Sequence, residues 1–287
     1  MRKIEKCPLC GQVNAEKFWA LRGYRLAKCI QCGMIWDPLS SNNPSSQYEK
    51  DYFINKNSKG GYSNYFKGMA INKRTFFDRL RKIEKRFGKK GKLLDVGCAL
   101  GDCLIEAEKL GWKNAEGLEI SNYACKYAKR RGVKIKKDYL KRGMYKKNTF
   151  DVVTYQDVIE HISNPVYELK KVYEILKPGG IIFIVTPDVG GLWSKMLGSL
   201  WYHYKPEEHV VYFSKRTIKI ALEKVGFVNI KTGRTHHVLS LGYIFDRLRY
   251  YGFLFDHLHR LAKDRAIGNI RFRSYIGELE AWAQKPL

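Results

Sequence analysis

The chain has 287 residues, 45% of them hydrophobic and 14% aromatic, which is the composition of a globular protein with room for one large core and a small appendage. No run approaches the roughly 18 consecutive apolar residues of a membrane helix, and Met1 to Cys7 carries no apolar run behind its charges as a secretory leader would, so a soluble cytoplasmic protein is expected. The formal charge of +25, with eleven basic residues between Lys126 and Lys147 against the single acid Asp138, fits an anionic partner or a merely solvated basic face.

Residues 1–37 hold two cysteine pairs, Cys7-Pro8-Leu9-Cys10 and Cys29-Ile30-Gln31-Cys32, separated by 18 residues and each followed by glycine. This spacing suits a tetrahedral four-cysteine zinc site, in which the metal replaces the hydrophobic core that so short a segment lacks. With every position filled by cysteine the site is structural. Its role is open at this point: it can clamp a substrate, bind RNA or brace the helices that follow. The other cysteines, Cys98, Cys103 and Cys125, are scattered, so a disulfide framework is not expected.

The turn-rich stretch from Asp37 to Ser46 marks a linker, taken as 38–61, before a main domain over 62–287. From Tyr62 to Phe87 apolar residues recur at helical spacing until the Gly88–Gly91 break. Strands are then expected at Lys92–Val96, Ala115–Glu119, Val133–Ile135, Phe150–Tyr155 and Gly180–Thr186. Helices are expected at Asp102–Leu110, Asn122–Arg131 and Val166–Leu176, giving the rhythm of a parallel α/β sheet. Ser214 can cap a helix over Lys215–Val225, and Phe227–Thr232 and Tyr275–Ala283 read as closing strands. Leu239 to Ala262 is amphipathic and basic; a helical cap over about 239–265 is expected, with contact to a membrane surface as the other reading.

The most informative segment is Leu93-Leu94-Asp95-Val96-Gly97-Cys98-Ala99-Leu100-Gly101-Asp102, a buried strand running into glycines and then a helix. Glycines let the backbone turn sharply beside a ligand, and ligands bind beyond the carboxyl ends of such strands. The spacing differs from the G-x-G-x-x-G that cradles a pyrophosphate, so a nicotinamide cofactor is disfavoured. Glu119 ends the next strand, 22 residues past Gly97, where a carboxylate can accept from ribose hydroxyls. Asp138 follows the third strand, placed to receive an adenine amino group, with Ile120 and Tyr139 available to pack on the base.

In this order the segments resemble class I S-adenosylmethionine-dependent methyltransferases, over roughly Tyr48 to the C-terminus. The resemblance implies an α/β fold, a Rossmann-like seven-stranded sheet with helices on both faces, here joined to the zinc ribbon. It also implies S-adenosylmethionine as cofactor, held by Asp95, Gly97, Gly101, Glu119, Ile120, Asp138 and Gln156; the cysteine spacing separately puts zinc on Cys7, Cys10, Cys29 and Cys32. The stretches Pro206 to Ser214 and Ile276 to Ala283 look like the branch of ubiquinone-type O-methyltransferases and saccharide-cluster enzymes.

Methyl transfer to a hydroxyl requires a base, and two histidines qualify: His161, after the fourth strand, and His209, in Pro206-Glu207-Glu208-His209. His236 and His237 rank lower. Asp102 and Asp157 are read as a helix start and a loop boundary, and Phe53 as a core aromatic. The fourth strand ends in Tyr155-Gln156-Asp157-Val158, without the Pro-Pro-Tyr element of amino-directed nucleic-acid enzymes, and no Pro-Cys dipeptide offers a pyrimidine nucleophile. The expected acceptor is therefore a hydroxyl on a small molecule or glycan, lipid- or nucleotide-linked forms included. An RNA methyltransferase and a non-catalytic module of the same fold are the alternatives.

Overall fold

A computed structural model of the chain describes residues 6–21, 24–39, 53, 65–242, 244 and 270–287. The ribbon is a hairpin of β1 (Ala15–Leu21) and β2 (Tyr24–Cys29), to which the two-residue β3 (Ile35–Trp36) adds antiparallel. After it comes the helix α1 (Tyr65–Phe87). The glycine loop joins β4 (Leu93–Val96) to α2 (Asp102–Lys109), and β5 (Ala115–Glu119) is followed by α3 (Asn122–Arg130) and β6 (Ile135–Lys137). The second half runs through β7 (Phe150–Gln156), α4 (Pro165–Ile175), β8 (Leu176–Pro187), α5 (Leu192–Leu197), β9 (Val211–Tyr212) and α6 (Lys215–Val225). It closes with β10 (Val228–Arg234), β11 (His237–Ser240), β12 (Arg271–Ser274) and β13 (Glu278–Gln284).

The central sheet has seven strands among the described residues, in the order β10-β13-β8-β7-β4-β5-β6. The β4, β5, β6, β7 and β8 strands are mutually parallel, and β13 enters antiparallel between β8 and β10. Strand order reverses beside β4: the chain goes to β5 and β6 on one side, then returns to β7 and β8 on the other. That reversal opens a crevice at the carboxyl ends of β4, β5 and β7, the place where sheets of this kind bind ligands.

Alternation along each strand sends side chains into two cores. Leu94, Val96, Val153, Tyr155, Ile182 and Ile184 pack with Leu169 and Val172 of α4 and Ile218 and Leu222 of α6. Their neighbours Leu93, Val152, Ile181, Phe183 and Val185 pack instead with Leu80 and Ile83 of α1, Leu104 of α2 and Ala128 of α3. The β7 strand is buried on both faces: Phe150, Val153 and Tyr155 enter one core and Val152 the other, so its apolar residues do not alternate with exposed polar ones. Each fully buried aliphatic side chain contributes roughly 1.5–3 kcal/mol. Ser214 caps α6 with a full capping box to Thr217, and Gly226 ends that helix in the left-handed region.

Two expectations are corrected. The ribbon does not brace the 62–87 helix: its Cys7, Leu9, Cys29, Met34 and Trp36 belong to the α4–α6 core, whereas α1 packs on the opposite face. The helical cap expected over about 239–265 starts after Leu239 and Ser240, which end β11 and pair antiparallel with β12 from His237↔Ser274 to Ser240↔Arg271; Leu241, Gly242 and Ile244 are helical. Residues 243 and 245–269 lie outside the described residues, as does most of the 38–61 linker. Phe53 is buried against Leu100 and Ala124, beside the glycine loop. The third strand starts two residues later than expected, since Val133 N–H closes the preceding turn onto the Ala128 carbonyl.

Candidate functional site

The loop after β4 turns through left-handed backbone at Gly97 (φ 73°), Ala99 (φ 47°) and Gly101 (φ 82°). The Gly97 and Cys98 amides both donate to the Leu118 carbonyl, at 2.8 and 3.0 Å, folding the loop back onto β5. A side chain at Gly97 is excluded twice, by its φ and by Val158, whose Cγ2 would lie 2.4 Å from an added Cβ.

Glu119, 7% exposed, fastens this loop to the tip of β5. Its Oε2 accepts from the Ala99 amide at 2.9 Å, and its Oε1 from the Ile120 and Ser121 amides at 2.8 Å each. A carboxylate offers about four acceptor positions; three are used within the protein. Burial nevertheless holds the Glu119 carboxyl above its usual range, against the three amides. Ile120 is half-buried next to it, and Ser121 caps α3 through the Ala124 amide.

Asp95 is buried rather than turned to solvent: Thr154 Oγ1 donates to its Oδ1 at 2.6 Å across the β4–β7 pair. Burial pushes its pKa up to about 6, although Thr154, Gln156 and Cys103 all act to lower it. Asp138 sits half-buried after β6, with its carboxylate on Lys141 Nζ at 2.8 Å and on the Tyr139 amide at 3.0 Å. The Lys141 contact holds Asp138 below the ordinary carboxylate range. Tyr139 itself is 61% exposed.

At the end of β7, Gln156 accepts from Arg79 Nη1 at 3.1 Å and donates to Cys103 Sγ at 3.3 Å. Arg79 was missed by sequence reasoning because it reads as one more basic residue on a helix with many. It is 3% exposed, its Nη2 lies 2.8 Å from His237 Nε2 and 3.6 Å from Glu278 Oε2, and its Nε has no partner. His237 also meets Glu278 through a short contact. Glu278 is held down at about 2: burial works against this, and His237 with Arg79 and His203 outweighs it.

Beyond Gln156 the chain passes through Asp157 in left-handed backbone, φ 57°. Burial and the nearby Glu278 push the Asp157 carboxyl up to about 7. A short 3-10 turn (Ile159–His161) then places Glu160, whose Oε2 accepts from Thr186 Oγ1 at 2.8 Å, and His161. His161 meets His209, with ring centroids 4.9 Å apart. Thus the two candidate bases, 48 residues apart, form one pair. The His161 Nδ1 donates to the Glu208 carbonyl at 2.8 Å and the His209 Nδ1 to the His203 carbonyl at 2.9 Å. Burial holds both below the ordinary imidazole value, His209 further because His161 and Lys205 lie nearby. Ligand atoms of Glu160, His161 and His209 fall within 4.8 Å of one another, a convergence suited to sharing a proton or holding a cation.

The four ribbon cysteines also bring their sulfurs within 4.8 Å of one another. Cys7 and Cys32 Sγ are 3.5 Å apart, as are Cys10 and Cys29 Sγ. A tetrahedron of ~2.3 Å zinc–sulfur bonds has edges of roughly 3.8 Å, so this donor set fits zinc with small adjustment. Gly11 and Gly33 return their amides to the Cys7 and Cys29 carbonyls from left-handed backbone, forming the two knuckles.

A sequence-family profile described as a methyltransferase domain matches residues 69–232. Among curated proteins, a ubiquinone biosynthesis O-methyltransferase of Marinobacter nauticus is 32% identical over 118 residues, 38% of this chain and 49% of that protein. Phosphoethanolamine N-methyltransferase 2 of Caenorhabditis elegans is 27% identical over 205 residues, 67% of this chain and 42% of that protein. The chain thus spans about half or less of the length of these relatives. Among solved structures, an S-adenosylmethionine-dependent methyltransferase from Archaeoglobus fulgidus superposes with a TM-score of 0.54 at 18% identity, covering 77% of this chain and 99% of that one. One from Thermotoga maritima gives 0.51 at 17% identity, covering 77% and 92%. These structures share the fold.

Proposed function

The chain belongs to the methyltransferase-domain family, and from that premise we propose that it moves the methyl group of S-adenosylmethionine to a hydroxyl on a small-molecule or saccharide acceptor. The observation that carries this reading is that a left-handed glycine loop anchored by Glu119 after β4 meets Val158 after β7, whose carbonyl holds the amide of His161 in the histidine pair.

When bound, S-adenosylmethionine supplies a methyl group already activated on a sulfonium, so the chain's work is to align, to exclude water and to take a proton. Glu119 keeps acceptor capacity for a ribose hydroxyl beside the loop it anchors. Asp95 joins β4 to β7 through Thr154, and Arg79 of α1 joins β7 through Gln156. His209 is the proton acceptor: its Nδ1–H is committed to the His203 carbonyl, which can only accept, so the neutral ring keeps its lone pair on Nε2. Burial keeps the free ring neutral, with that lone pair unprotonated, and lowers its basicity, so the acceptor hydroxyl must be aligned with it for the proton to move. His161, packed on it, fixes the ring's orientation.

The ubiquinone-enzyme relative favours an oxygen acceptor, and the basic segment between Lys126 and Lys147 favours one that carries phosphate or another anion. Zinc on the four cysteines is part of the same reading, supported by their sulfur spacing. No helix among the described residues is long and apolar enough to cross a membrane. The test is transfer of label from methyl-labelled S-adenosylmethionine into cell extract, with soluble metabolites, saccharides and RNA counted separately. Label in the metabolite or saccharide fraction upholds the proposal. Label confined to RNA replaces it with the RNA reading, which the same basic segment would serve.

A further inference from the structure

The β9 strand is two residues long and carries little stability of its own. Its sheet partner is β3 of the ribbon, with Ile35 opposite Tyr212 and Trp36 opposite Val211. Immediately before it, Val210 is held on both sides. Its carbonyl accepts from the Asp37 amide at 2.9 Å, and its amide donates to the Glu160 carbonyl at 2.9 Å. His209 directly precedes this bracket, and the Glu208 carbonyl, one residue further back, receives His161 Nδ1. Both histidines are therefore tied to 208–212: the Lys205 and Glu160 carbonyls hold the amides of 208–210, and the ribbon holds the other side through Asp37, Ile35 and Trp36.

The side chains repeat the connection. Val210, Val211 and Phe213 share a core with Cys7, Leu9, Cys29, Cys32, Met34 and Trp36, and Lys224 of α6 donates to the Leu9 carbonyl at 2.8 Å. The glycine loop and Glu119 are held differently, by the Leu118 carbonyl and the Ala99, Ile120 and Ser121 amides, none of which involves the ribbon.

We propose that the four-cysteine ribbon is the positioning element for the His161–His209 pair, required for acceptor-side geometry and dispensable for cofactor binding. The inference rests on the reading of that pair as the acceptor-side base. A two-residue strand cannot nucleate alone, because the entropy of ordering it exceeds what two ladder bonds return. The ribbon supplies the missing template, and its cysteine-held knuckle supplies the template's rigidity.

The full chain bearing Asp37→Pro tests this directly. That substitution removes the amide donated to Val210 while leaving every cysteine in place; Asp37→Ala keeps the amide and serves as its partner variant. Amide exchange, imidazole nitrogen signals and S-adenosylmethionine affinity are measured on both. Asp37→Pro is expected to speed exchange across 209–213 by about tenfold or more and to shift the His161 or His209 signals, with cofactor affinity within about twofold of the parent. Asp37→Ala, which loses the side-chain contact to the Leu39 amide and keeps the amide to Val210, is expected to leave exchange across 209–213 and the histidine signals as in the parent. Withdrawal of metal from the parent chain by a chelator should reproduce the Asp37→Pro pattern, and this arm stands if Asp37→Pro does not fold. Unchanged exchange and signals when the contact or the metal is removed would overturn the proposal, as would cofactor affinity falling in step with them. Metal content measured on the same samples reports separately on the zinc reading: a metal-free parent refutes zinc there, while the Asp37→Pro comparison still decides the positioning role.

Discussion

The imidazoles of His161 and His209 meet edge to face, with planes at 78° and each Nδ1 on a backbone carbonyl. That arrangement fixes which ring atom faces the partner and makes the two residues one unit with separable roles. In a methyl-transfer assay, His209→Gln should lower kcat by about 100- to 10,000-fold, the usual worth of a general base. His161→Gln should lower it less. Both should leave S-adenosylmethionine affinity unchanged, and a loss of affinity equal to the loss of kcat would refute the division of labour.

Asp95 gives a pH-dependent expectation. Its folded pKa, about 6, lies above the 3.8 of an unperturbed aspartate because burial penalises the charge. A raised folded pKa means a contribution to stability that is complete below about 3.8 and is lost as pH rises through about 6. The charged carboxyl therefore costs the folded chain about 3 kcal/mol at pH 7. Asp95→Asn should stabilise the chain at pH 7 to 8, by less than that figure, and the gain should vanish near pH 4. Thermal unfolding across this range measures it; a gain independent of pH would contradict the assigned cause.

Gly97 is confined by its left-handed φ and by Val158. Gly97→Ala should destabilise the fold by about 2–4 kcal/mol, combining backbone strain with a clash that cannot be relieved without moving the turn after β7. Adding Val158→Ala should restore part of the loss, because it removes the clash and leaves the strain. Additive losses in the double variant would show that the two residues do not oppose each other.

For the cysteine cluster, elemental analysis should find one zinc per chain, abolished or strongly reduced in Cys32→Ser. Zinc held there would contribute its binding energy to folding, so the same variant should unfold the ribbon at a lower temperature than the central sheet.

The sheet is legible in the sequence because its central strands are short, mainly apolar runs alternating with helical ones, and its helices are punctuated by glycine, proline and Ser214. Four cysteines at fixed spacing made the metal site legible too. What stayed hidden depends on contacts distant in sequence. Val211 and Tyr212 form a strand only because Ile35 and Trp36 lie beside them, and a two-residue run carries no periodicity to detect. Arg79 looks like its helical neighbours until burial against Gln156 and Glu278 singles it out. Asp157 reads as a loop residue, whereas its left-handed φ and raised pKa mark it as part of the site. The short β11 is hidden because its Leu239 and Ser240 run straight into the helical Leu241 and Gly242, and only the pairing with β12 marks them as strand.

The claim on which the rest depends is that the Glu119-anchored loop binds S-adenosylmethionine, and equilibrium titration of the cofactor into parent chain and Glu119→Gln tests it most directly. The expected result is one molecule bound per chain, with affinity reduced about 10- to 100-fold in the variant, the worth of charge-assisted hydrogen bonds, while circular dichroism shows the fold retained. No binding to the parent chain, or equal affinity in both proteins, would contradict it.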